Sequence, residues 1–582
     1  MRVESAIINQ ADAPRSVALQ VALLDPAGKV VQTASGSPQR LEAGKSGTFR
    51  QEINIKNPKL WNLDQPHLYR AVVRVRAGNA TLDEETITFG IRDVKFVAAT
   101  GFWLNGKNLK IKGVCLHHDA GALGAAVPLR AWERRLETLH ELGVNAIRTA
   151  HNPPSPEFLD LCDRLGFLVM DELFDCWTIG KNAYDYHLYF NDWATLDVRD
   201  TVRRDRNHPS VILYSAGNEI RDTPKEDLAK RVLGGLVKAF HEADPTRPVT
   251  QALFRPNVSH DYDNGLADLL DVIGTNYRDA ELLVAHRAKP TRKIIGTEQG
   301  HDLKTWLAAR DNPQHAGQFL WSGIDYLGEA RNWPIVAAGS GLLDRTGAIK
   351  PMAYERQSWW STKPMVRIVR RVEPARAMAA DPGGFEPLMR SQTQFDDWTP
   401  REIAAHNETV EAYSNCDEVE LVLNGQSLGS KTRNADDAPR VWKVAYQSGT
   451  LRAIGKNQGK VVATHELRTA SKPAKIVLTA DRNTLTSAWD DVVYVTASVV
   501  DEKGVIVPTA KDLIAFNLSG PGVIAAVDNG DNASHEPFHE KERRSYQGRC
   551  VALIKAASGR GELTLTAVAP NLSEVSIRLA VK

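Results

Sequence analysis

Between about residue 93 and residue 365, short apolar segments alternate with segments of helical periodicity. A repeated strand–helix pattern favours a parallel sheet, and eight repeats are what a closed (β/α)8 barrel requires. The helical segments carry boundary signals: Ser155 and Pro156 suit the start of a helix, Gly166 suits its end, and a further helix is predicted over Glu226–Ala243. The predicted strands are Leu109–Leu116, Ala146–Ala150, Leu168–Met170, Val211–Ser215, Val249–Ala252, Val272–Gly274, Lys293–Gly296 and Gln318–Trp321.

The chain on either side of this segment is typical of β-sandwich domains. Short strands that alternate with period two, such as Leu68–Val75, are separated by turns rich in Gly, Pro and Asn. Asn424 and Gly425, between two strand-like runs, predict a tight hairpin. The sequence therefore predicts a multidomain protein, a (β/α)8 TIM barrel flanked by immunoglobulin-like β-sandwich domains. The predicted domains are an immunoglobulin-like sandwich at 1–92, the catalytic barrel at 93–365, a small β-sandwich at 366–470 and a C-terminal immunoglobulin-like sandwich at 471–582.

Charge and cysteine content argue against several classes of protein. The 72 Lys and Arg residues against 71 Asp and Glu leave a net charge of +1, which offers no attraction for nucleic acid or an anionic membrane. No apolar run approaches the length of a membrane span, and the first residues enter a strand-like alternation rather than a signal peptide. The five cysteines are scattered and form no CxxC motif, so buried free thiols are expected rather than disulfides or a zinc site.

Two predicted barrel strands lead into glutamates. The strand Val211–Ser215 runs on to Asn218 and Glu219, and the strand Lys293–Gly296 runs on to Glu298. Catalytic groups of barrel enzymes lie at the carboxyl ends of the strands, and glycoside hydrolysis needs two carboxyl groups there. For either glutamate alone, an ordinary strand-end residue is the alternative. Asn218 is expected to bind a sugar hydroxyl, with a turn-forming cap as the alternative, and its side chain should diverge from that of Glu219 on an extended backbone.

Further polar and aromatic residues follow other predicted strands, where they suit the hydroxyls and the C–H face of a pyranose. Arg148 is expected to hydrogen-bond the nucleophile and keep it ionised, with a structural ion pair as the alternative. Histidines after the first two strands are compatible with a metal site, but no third ligand is evident at suitable spacing. Sugar stacking and loop packing are equal alternatives for Trp177 and Trp333. The predicted substrate-binding residues are His117, Arg148, His151, Asn152, Asp175, Asn218, Tyr277, Trp321, Asp325 and Glu329.

Seven stretches carry a family resemblance: Phe89–Arg92, Leu104–Lys107, Lys112–His117, Asn145–Pro153, Asn207–Glu219, Thr297–Gly300 and Trp321–Tyr326. Over about residues 3–365 the chain resembles glycoside hydrolase family 2, the family of β-galactosidases, β-glucuronidases and β-mannosidases. The resemblance implies that Glu219 is the acid/base and Glu298 the nucleophile. It also matches His117, Arg148, His151, Asn218, Tyr277 and Trp321 to active-site positions of the family. Residues 414–425 and 473–582 resemble the small β-domain and the further immunoglobulin-like domain of one bacterial β-galactosidase-like branch.

Three departures from the family pattern bear on the substrate. The family normally begins with a jelly-roll domain, whereas this sequence starts directly at the immunoglobulin-like domain, as expected of a truncated chain or of a shortened gene product. The Glu and His that bind magnesium in lactose-operon β-galactosidases are not evident after Asp171 and Glu172, so no metal and no other cofactor is expected. The Asn-x-Lys that reads a uronic-acid carboxylate in β-glucuronidases is not apparent between Trp333 and Tyr354, which disfavours a glucuronide.

Together the residues and the resemblance predict a retaining exo-β-glycosidase that hydrolyses terminal β-D-galactosides through a covalent glycosyl-enzyme. A β-glucuronidase or β-mannosidase of the same family is the nearest alternative, and a non-catalytic carbohydrate-binding protein is the alternative from another class. The expected partner is an oligosaccharide or glycoside substrate, with no nucleic acid and no membrane, and a homo-oligomer is left open. The compartment is also open: periplasmic or secreted if an N-terminal part is missing, and cytoplasmic otherwise.

Overall fold

The chain divides into two compact units. The first comprises Met1–Gly113 and Asn145–Phe319, and the second comprises Val114–Val144 and Leu320–Lys582. The structure, a computed structural model, describes residues 1–330, 333–372 and 393–582, so part of the predicted small β-sandwich lies outside the described residues. Within those ranges, no helix combines the length and the apolar character needed to cross a bilayer.

The chain begins with a β-sandwich that encloses an aliphatic core. Its strands are β1 (Arg2–Ile8), β2 (Arg15–Leu24), β3 (Val30–Ser35), β4 (Gln39–Leu41), β5 (Ser46–Glu52), β6 (Leu68–Ala77) and β7 (Ala80–Gly90). One sheet pairs β1 with β5, and the other has the order β3-β2-β6-β7, with β4 also on β2. Along β2, Val17, Leu19, Val21 and Leu23 are buried, because the two-residue period of a strand turns one face to the core.

Eight strands form a closed barrel, which confirms the fold class predicted from the sequence. A small sheet of β8 (Val94–Val97), β9 (Gly101–Leu104) and β10 (Lys107–Leu109) precedes it. The barrel strands are β11 (Ile111–Leu116), β12 (Ala146–Thr149), β13 (Leu168–Glu172), β14 (Val211–Asn218), β15 (Val249–Leu253), β16 (Ile273–Asn276), β17 (Ile294–Gln299) and β18 (His315–Leu320). Several of them run further at the carboxyl end than predicted. As a result Asn218, Asn276 and Glu298 belong to strands rather than to the loops after them.

The helices follow the signals read from the sequence. They are α1 (Leu129–Glu141), α2 (Pro156–Leu165), α3 (Phe190–Asp205), α4 (Glu226–Ala243), α5 (Pro256–Ser259), α6 (Asp279–Ala288), α7 (Leu303–Arg310) and α8 (Ala353–Trp360). The bounds of α4 are those predicted. At the start of α2 the Ser155 side chain accepts a hydrogen bond from the Phe158 amide, and at its end Gly166 adopts φ 78°, so both predicted caps are confirmed.

The second unit carries two further β-sandwiches. A short pair, β19 (Tyr326–Leu327) and β20 (Ala337–Ala338), follows the barrel. The first sandwich contains β21 (Val366–Arg371), β22 (Gln394–Phe395), β23 (Asn407–Ser414), β24 (Glu418–Leu423), β25 (Gln426–Thr432), β26 (Arg440–Ala445), β27 (Thr450–Asn457) and β28 (Lys460–Arg468). Its sheets have the orders β22-β21-β23-β26 and β25-β24-β27-β28 and share one core. The predicted hairpin joins β24 to β25, with φ 51° at Asn424 and 84° at Gly425.

The C-terminal sandwich has a larger core, formed from both of its sheets. Its strands are β29 (Lys475–Ala480), β30 (Thr484–Leu485), β31 (Val493–Val500), β32 (Leu513–Ser519), β33 (Gly522–Asp528), β34 (Glu542–Arg544), β35 (Arg549–Ala556), β36 (Gly561–Val568) and β37 (Val575–Val581). The sheet orders are β29-β31-β35-β33 and β30-β37-β36-β32-β34. All five cysteines of the chain are buried free thiols.

In the first unit, the N-terminal sandwich packs closely against the barrel helix α2. The Trp61 indole donates to the Asp163 carbonyl at 2.8 Å. A Cβ placed on Gly166 would lie 2.3 Å from the Leu63 carbonyl oxygen. Gly166 therefore serves two purposes, since it adopts a left-handed backbone and lets another segment approach.

Replacement of Gly166 by alanine should lower the stability of the first unit by about 2–4 kcal/mol, because it adds a clash with Leu63 to the cost of a left-handed alanine. The matched control is Gly44→Ala, since Gly44 has φ +69° with nothing within 4 Å of an added Cβ and so carries the backbone cost alone. Calorimetric melting of both variants measures the difference. Equal losses in Tm would contradict the close-approach argument.

Candidate active site

Polar side chains at the carboxyl ends of β12, β13, β14 and β17 gather around the guanidinium of Arg148. This side chain is fully buried. Its Nη1 donates to Glu298 Oε2 at 2.8 Å, and its Nε and Nη2 donate to Glu172 at 3.0 and 2.8 Å. Nη2 also donates to Asn218 Oδ1 at 2.8 Å. The Arg148 guanidinium therefore links β12, its own strand, to β13, β14 and β17 at the carboxyl ends of these strands.

Glu172 is the main counter-charge of this cation. It is fully buried, and it also accepts from Ser215 Oγ at 2.8 Å and contacts His151 Nδ1 at 2.7 Å. Burial opposes its charged form, but the charge of Arg148 and the hydrogen bonds from His151 and Ser215 lower the pKa of Glu172 to about 2. Because a carboxylate accepts, the shared proton belongs on His151 Nδ1. With the proton on Nδ1, His151 Nε2 accepts from the Asn218 amide at 3.3 Å.

Asn218 and Glu219 turn their side chains toward the same atom. Asn276 Nδ2 lies 3.1 Å from Asn218 Oδ1 and 3.1 Å from Glu219 Oε1. The prediction that these two side chains diverge is wrong, because Glu219 adopts φ 44° and the chain is not extended there. A left-handed glutamate is uncommon and costs energy, and such residues occur where the surrounding structure holds them for function.

Glu298 lies beside Asn276 in the register of β16 and β17. Its Oε2 accepts from Arg148 and lies 3.3 Å from Asn276 Nδ2, and its Oε1 accepts from Tyr277 Oη at 2.6 Å. The orientation of the Asn276 amide is set by Thr297, whose hydroxyl donates to Asn276 Oδ1 at 2.7 Å. Both oxygens of Glu298 are thus held by donors from neighbouring elements, and the residue is 6% exposed.

Glu219 has a different environment from Glu298. Burial and the negative charge of Glu298 raise its pKa above the usual value. Three groups oppose this shift: the hydrogen bond from Asn276 and the charges of Lys181 and Arg148. The pair therefore combines a carboxylate held by two donors with a carboxyl group that retains its proton to higher pH, which is the division of labour that acid/base and nucleophilic catalysis require.

A third carboxylate lies at the edge of this group. Asp175 Oδ1 accepts from Asn218 Nδ2 at 3.0 Å and from Lys181 Nζ at 2.7 Å. Lys181 also donates to the Asn218 carbonyl at 3.0 Å. Asp175, Lys181 and Asn218 form a half-buried polar cluster in which further hydrogen bonds to a ligand are chemically possible.

In the second unit, the predicted residues His117 and Trp321 form an aromatic cluster with Tyr326. The rings of His117 and Trp321 meet edge to face at 5.3 Å, and the ring of Tyr326 lies 4.2 Å from that of His117 and 5.9 Å from that of Trp321. The Tyr326 hydroxyl donates to Glu329, which is exposed. A rim of aromatic edges with an adjacent carboxylate suits the apolar and polar faces of a sugar.

The other candidate residues make contacts with neighbouring parts of the protein. Asp325 is 2% exposed and pairs with Lys350 at 2.9 Å. Asn152 is exposed and its amide donates to the Pro153 carbonyl. The indole of Trp177 is fully buried and donates to the Ala216 carbonyl at 2.8 Å, which favours loop packing over sugar stacking. Trp333 is 83% exposed, with its ring 4.1 Å from that of His535.

Three residues of the site are absent from the predicted set. Glu172 is marked by the sequence only as the end of its strand, although a buried carboxylate beside a buried arginine is a strong signal of pairing. Asn276 is missed because the sixth strand is predicted to end two residues earlier, yet Asn276 before Tyr277 repeats the pattern of Asn218 before Glu219. Lys181 lies in the long loop after β13, where no local pattern points to it.

One group of side chains away from this cluster has the composition of a metal site. Ligand atoms of Asp160, Asp163 and His208 lie within 4.8 Å of one another, before the start of β14 and so at the opposite end from Asn218. Asp163 already accepts from the Ser210 amide at 2.9 Å and pairs with His208 at 2.6 Å. These contacts explain the cluster as an ion pair that anchors the start of the strand.

Comparison with protein-family models matches four segments of the chain. Residues 1–92 match the model described as glycosyl hydrolases family 2, and residues 96–322 match its TIM barrel domain. Residues 476–578 match glycoside hydrolase family 2 C-terminal domain 5, and residues 407–463 match a domain of unknown function.

The proteins and structures similar to this chain carry the names of glycoside hydrolases. The β-galactosidase BoGH2A of Bacteroides ovatus is 34% identical over all of this chain, which covers 74% of its length. A putative β-glucuronidase of Formosa agariphila is 31% identical over 88% of this chain and 51% of its own length. A crystal structure of a glycosyl hydrolase family 2 member from Bacteroides cellulosilyticus aligns with a TM-score of 0.93 and 34% identity, over 100% of this chain and 76% of the other. A β-glycosidase from Bacteroides vulgatus gives 0.83 and 29%, over 99% and 79%.

Replacement of Glu172 by glutamine should destabilise the protein in a pH-dependent way. A pKa near 2 in the folded state, below the usual 4.5, means that ionised Glu172 stabilises the fold at higher pH and that this contribution, about 3 kcal/mol, is lost as pH falls between those values. The Tm difference between wild type and Glu172→Gln should therefore be widest above about pH 5 and should narrow toward about pH 3. Glu85→Gln, at an exposed position of β7, is the control. A Tm difference independent of pH would contradict the assignment.

Proposed function

This chain belongs to glycoside hydrolase family 2, and we propose that it hydrolyses terminal β-D-galactosides as a retaining exo-β-glycosidase. The proposal is carried by the amide of Asn276, whose Nδ2 lies 3.1 Å from Glu219 Oε1 and 3.3 Å from Glu298 Oε2. Two oxygens that share one nitrogen cannot be farther apart than these distances combined. That limit applies to one oxygen of each carboxyl group and lies just below the roughly 6.5–9.5 Å typical of inverting enzymes, so it favours the shorter separation of roughly 5–5.5 Å in retaining ones.

In the first step, Glu298 attacks the anomeric carbon and the bond to the leaving oxygen breaks. The hydrogen bonds from Arg148 and Tyr277 hold the attacking carboxylate in one orientation, so little reorganisation is needed. Glu219, which retains its proton because its pKa is raised, transfers that proton to the leaving oxygen. Asn218 is anchored through its side-chain oxygen to Arg148, and its amide nitrogen would exchange a contact with His151 or Asp175 for a sugar hydroxyl beside the reacting carbon.

In the second step, water attacks the anomeric carbon and Glu219 accepts its proton. Part of the upward shift in the pKa of Glu219 comes from the charge of Glu298. That charge disappears while Glu298 is esterified to the sugar, so the pKa of Glu219 falls during the life of the intermediate. The same side chain is therefore suited to act first as an acid and then as a base.

The proposal of a neutral sugar as substrate is supported by the ion pairs that Arg148 and Lys181 already make. Arg148 is engaged by Glu172 and Glu298, and Lys181 is engaged by Asp175. A uronate carboxylate would have to compete with these carboxylates for either cation, whereas a galactoside needs only hydrogen bonds. The β-galactosidase name of the Bacteroides ovatus relative agrees with this choice. A β-glucuronidase is the second candidate, because the Formosa agariphila relative carries that name.

A panel of p-nitrophenyl glycosides tests the proposal. The β-galactoside should be hydrolysed with a higher kcat/KM than the β-glucuronide or the β-mannoside, and proton NMR should detect the β-anomer as the first product. Glu298→Gln should lower kcat by about 10⁴-fold or more, because the nucleophile is lost. Unchanged Tm would confirm that this variant is folded. Preference for the glucuronide would overturn the sugar assignment, an α-anomer would overturn retention, and activity near wild type in Glu298→Gln would overturn the nucleophile.

The charge of Lys181 should set the upper pH limit of activity. Lys181 lowers the pKa of Glu219, so Lys181→Met should raise that pKa and keep Glu219 protonated to higher pH. The basic limb of the kcat/KM profile should therefore move to higher pH. Lys181→Arg retains the charge and is the matched control, whose basic limb should stay near that of wild type. A shift to lower pH in Lys181→Met would contradict the argument.

A further inference from the structure

A loop of the C-terminal sandwich contacts the segment that follows the last barrel strand. We call residues 528–538 the β33 loop and the described residues 321–330 and 333–350 the β18 segment. Arg345 of the β18 segment is fully buried, and its Nη2 donates to Asp528 Oδ1 at 2.9 Å. The same nitrogen lies 3.2 Å from the Asp531 carbonyl. A buried, paired guanidinium fixes the two segments against each other, because separation would leave both charges uncompensated.

Asn532 links the two segments through both its side chain and its backbone. Its Oδ1 accepts from Arg345 Nη1 at 2.5 Å, and its Nδ2 donates to Asp325 Oδ2 at 3.1 Å. Its carbonyl accepts from the Val336 amide at 2.9 Å. The side-chain amide uses its donor and its acceptor toward opposite charges, so its orientation is determined by both partners.

Asp325 is the acidic residue through which the Asn532 side chain contacts the β18 segment. Besides the amide of Asn532, it accepts from Lys350 Nζ at 2.9 Å and from the Gly341 amide at 2.7 Å. The Asp325 carboxylate therefore accepts hydrogen bonds from three residues that are distant from it in sequence, Asn532, Lys350 and Gly341. Asp325 adjoins Tyr326 in the sequence, and the ring of Tyr326 contacts those of His117 and Trp321. We therefore expect a displacement of Asp325 to be passed through Tyr326 to the aromatic cluster.

We propose that Asn532 of the C-terminal sandwich is a positioning residue for the glycosidase reaction, which fixes the aromatic cluster of His117, Trp321 and Tyr326 through Asp325. The proposal rests on the proposed function and on the prediction from the sequence that His117 and Trp321 bind the substrate. It gives the C-terminal sandwich a part in substrate binding although the catalytic glutamates are far from it in sequence. Asn532 touches no reacting atom, so its loss should weaken substrate binding more than it slows the chemical steps.

Two substitutions separate the contact with Asp325 from the contact with Arg345. Asn532→Ala removes both. Asn532→Asp keeps an acceptor for Arg345 but sets a carboxylate against that of Asp325, where like charges repel. The matched control is Thr566→Ala, which removes an exposed hydrogen bond to Ser576 in the same sandwich.

The test measures kcat and KM on an aryl β-galactoside, Tm, and amide hydrogen exchange over residues 322–343 of the full-length protein. Both Asn532 variants should raise KM by about tenfold with kcat within about threefold, and should speed exchange in that segment, because a hydrogen bond to a buried charge is lost. Thr566→Ala should match wild type in KM and in exchange.

Other outcomes overturn the proposal. Unchanged KM in Asn532→Ala, with or without a lower Tm, would leave Asn532 a purely structural contact. Wild-type KM in Asn532→Asp would exclude Asp325 as the link. If wild-type protein hydrolyses no glycoside, the proposed function fails instead, and the exchange data alone decide whether Asn532 holds the segment.

Discussion

The buried guanidinium of Arg148 is the interaction on which the rest of the site depends. Two carboxylates, Glu172 and Glu298, share this one cation inside the barrel. Burial of charge is costly unless each ion is paired and hydrogen-bonded, and here Glu172 is satisfied by Ser215 and His151 as well. Glu172 therefore has no evident chemical task of its own: it holds Arg148 in the orientation that presents Nη1 to Glu298. Strand ends that are distant in sequence are brought into one arrangement by this cation.

The difference between Glu219 and Glu298, the two glutamates proposed as catalytic, follows from their surroundings, because the two side chains are chemically identical. Glu298 is a strand residue of the barrel, and its two oxygens accept hydrogen bonds from Arg148 and Tyr277. Glu219 has a left-handed backbone conformation, and it accepts from the Asn276 amide. Asn276 has two amide hydrogens and three acceptors within 3.3 Å. The hydrogen bond from Asn276 opposes the upward shift in the pKa of Glu219, and the sharing of two hydrogens among three acceptors limits that opposition.

The sequence predicts the barrel well because the alternation of a short apolar strand with a helical segment occurs eight times. Each repeat strengthens the assignment of the others. It also locates Asn218, Glu219 and Glu298, since polar residues that end apolar strands stand out locally. The convergence on Asn276 could not be predicted, because it depends on the left-handed backbone at Glu219, which nothing in the local sequence requires. Glu172 and Lys181 are missed for a related reason: their importance comes from partners on other elements. The contact of Asn532 with Asp325 could not be predicted from a local pattern either, because the two residues are 207 positions apart in the chain.

The pairing of Arg345 with Asp528 also has a consequence for how the protein is made. The two residues are 183 positions apart, so Arg345 leaves the ribosome well before its partner exists. At ordinary rates of synthesis this interval is roughly 10–40 s, during which the segment after the last barrel strand has a cation with no counter-charge from the C-terminal sandwich. Vectorial folding can complete the N-terminal sandwich and most of the barrel in order, but this segment must wait for the last domain. A nascent chain released too early would therefore carry its two glutamates without the finished second unit.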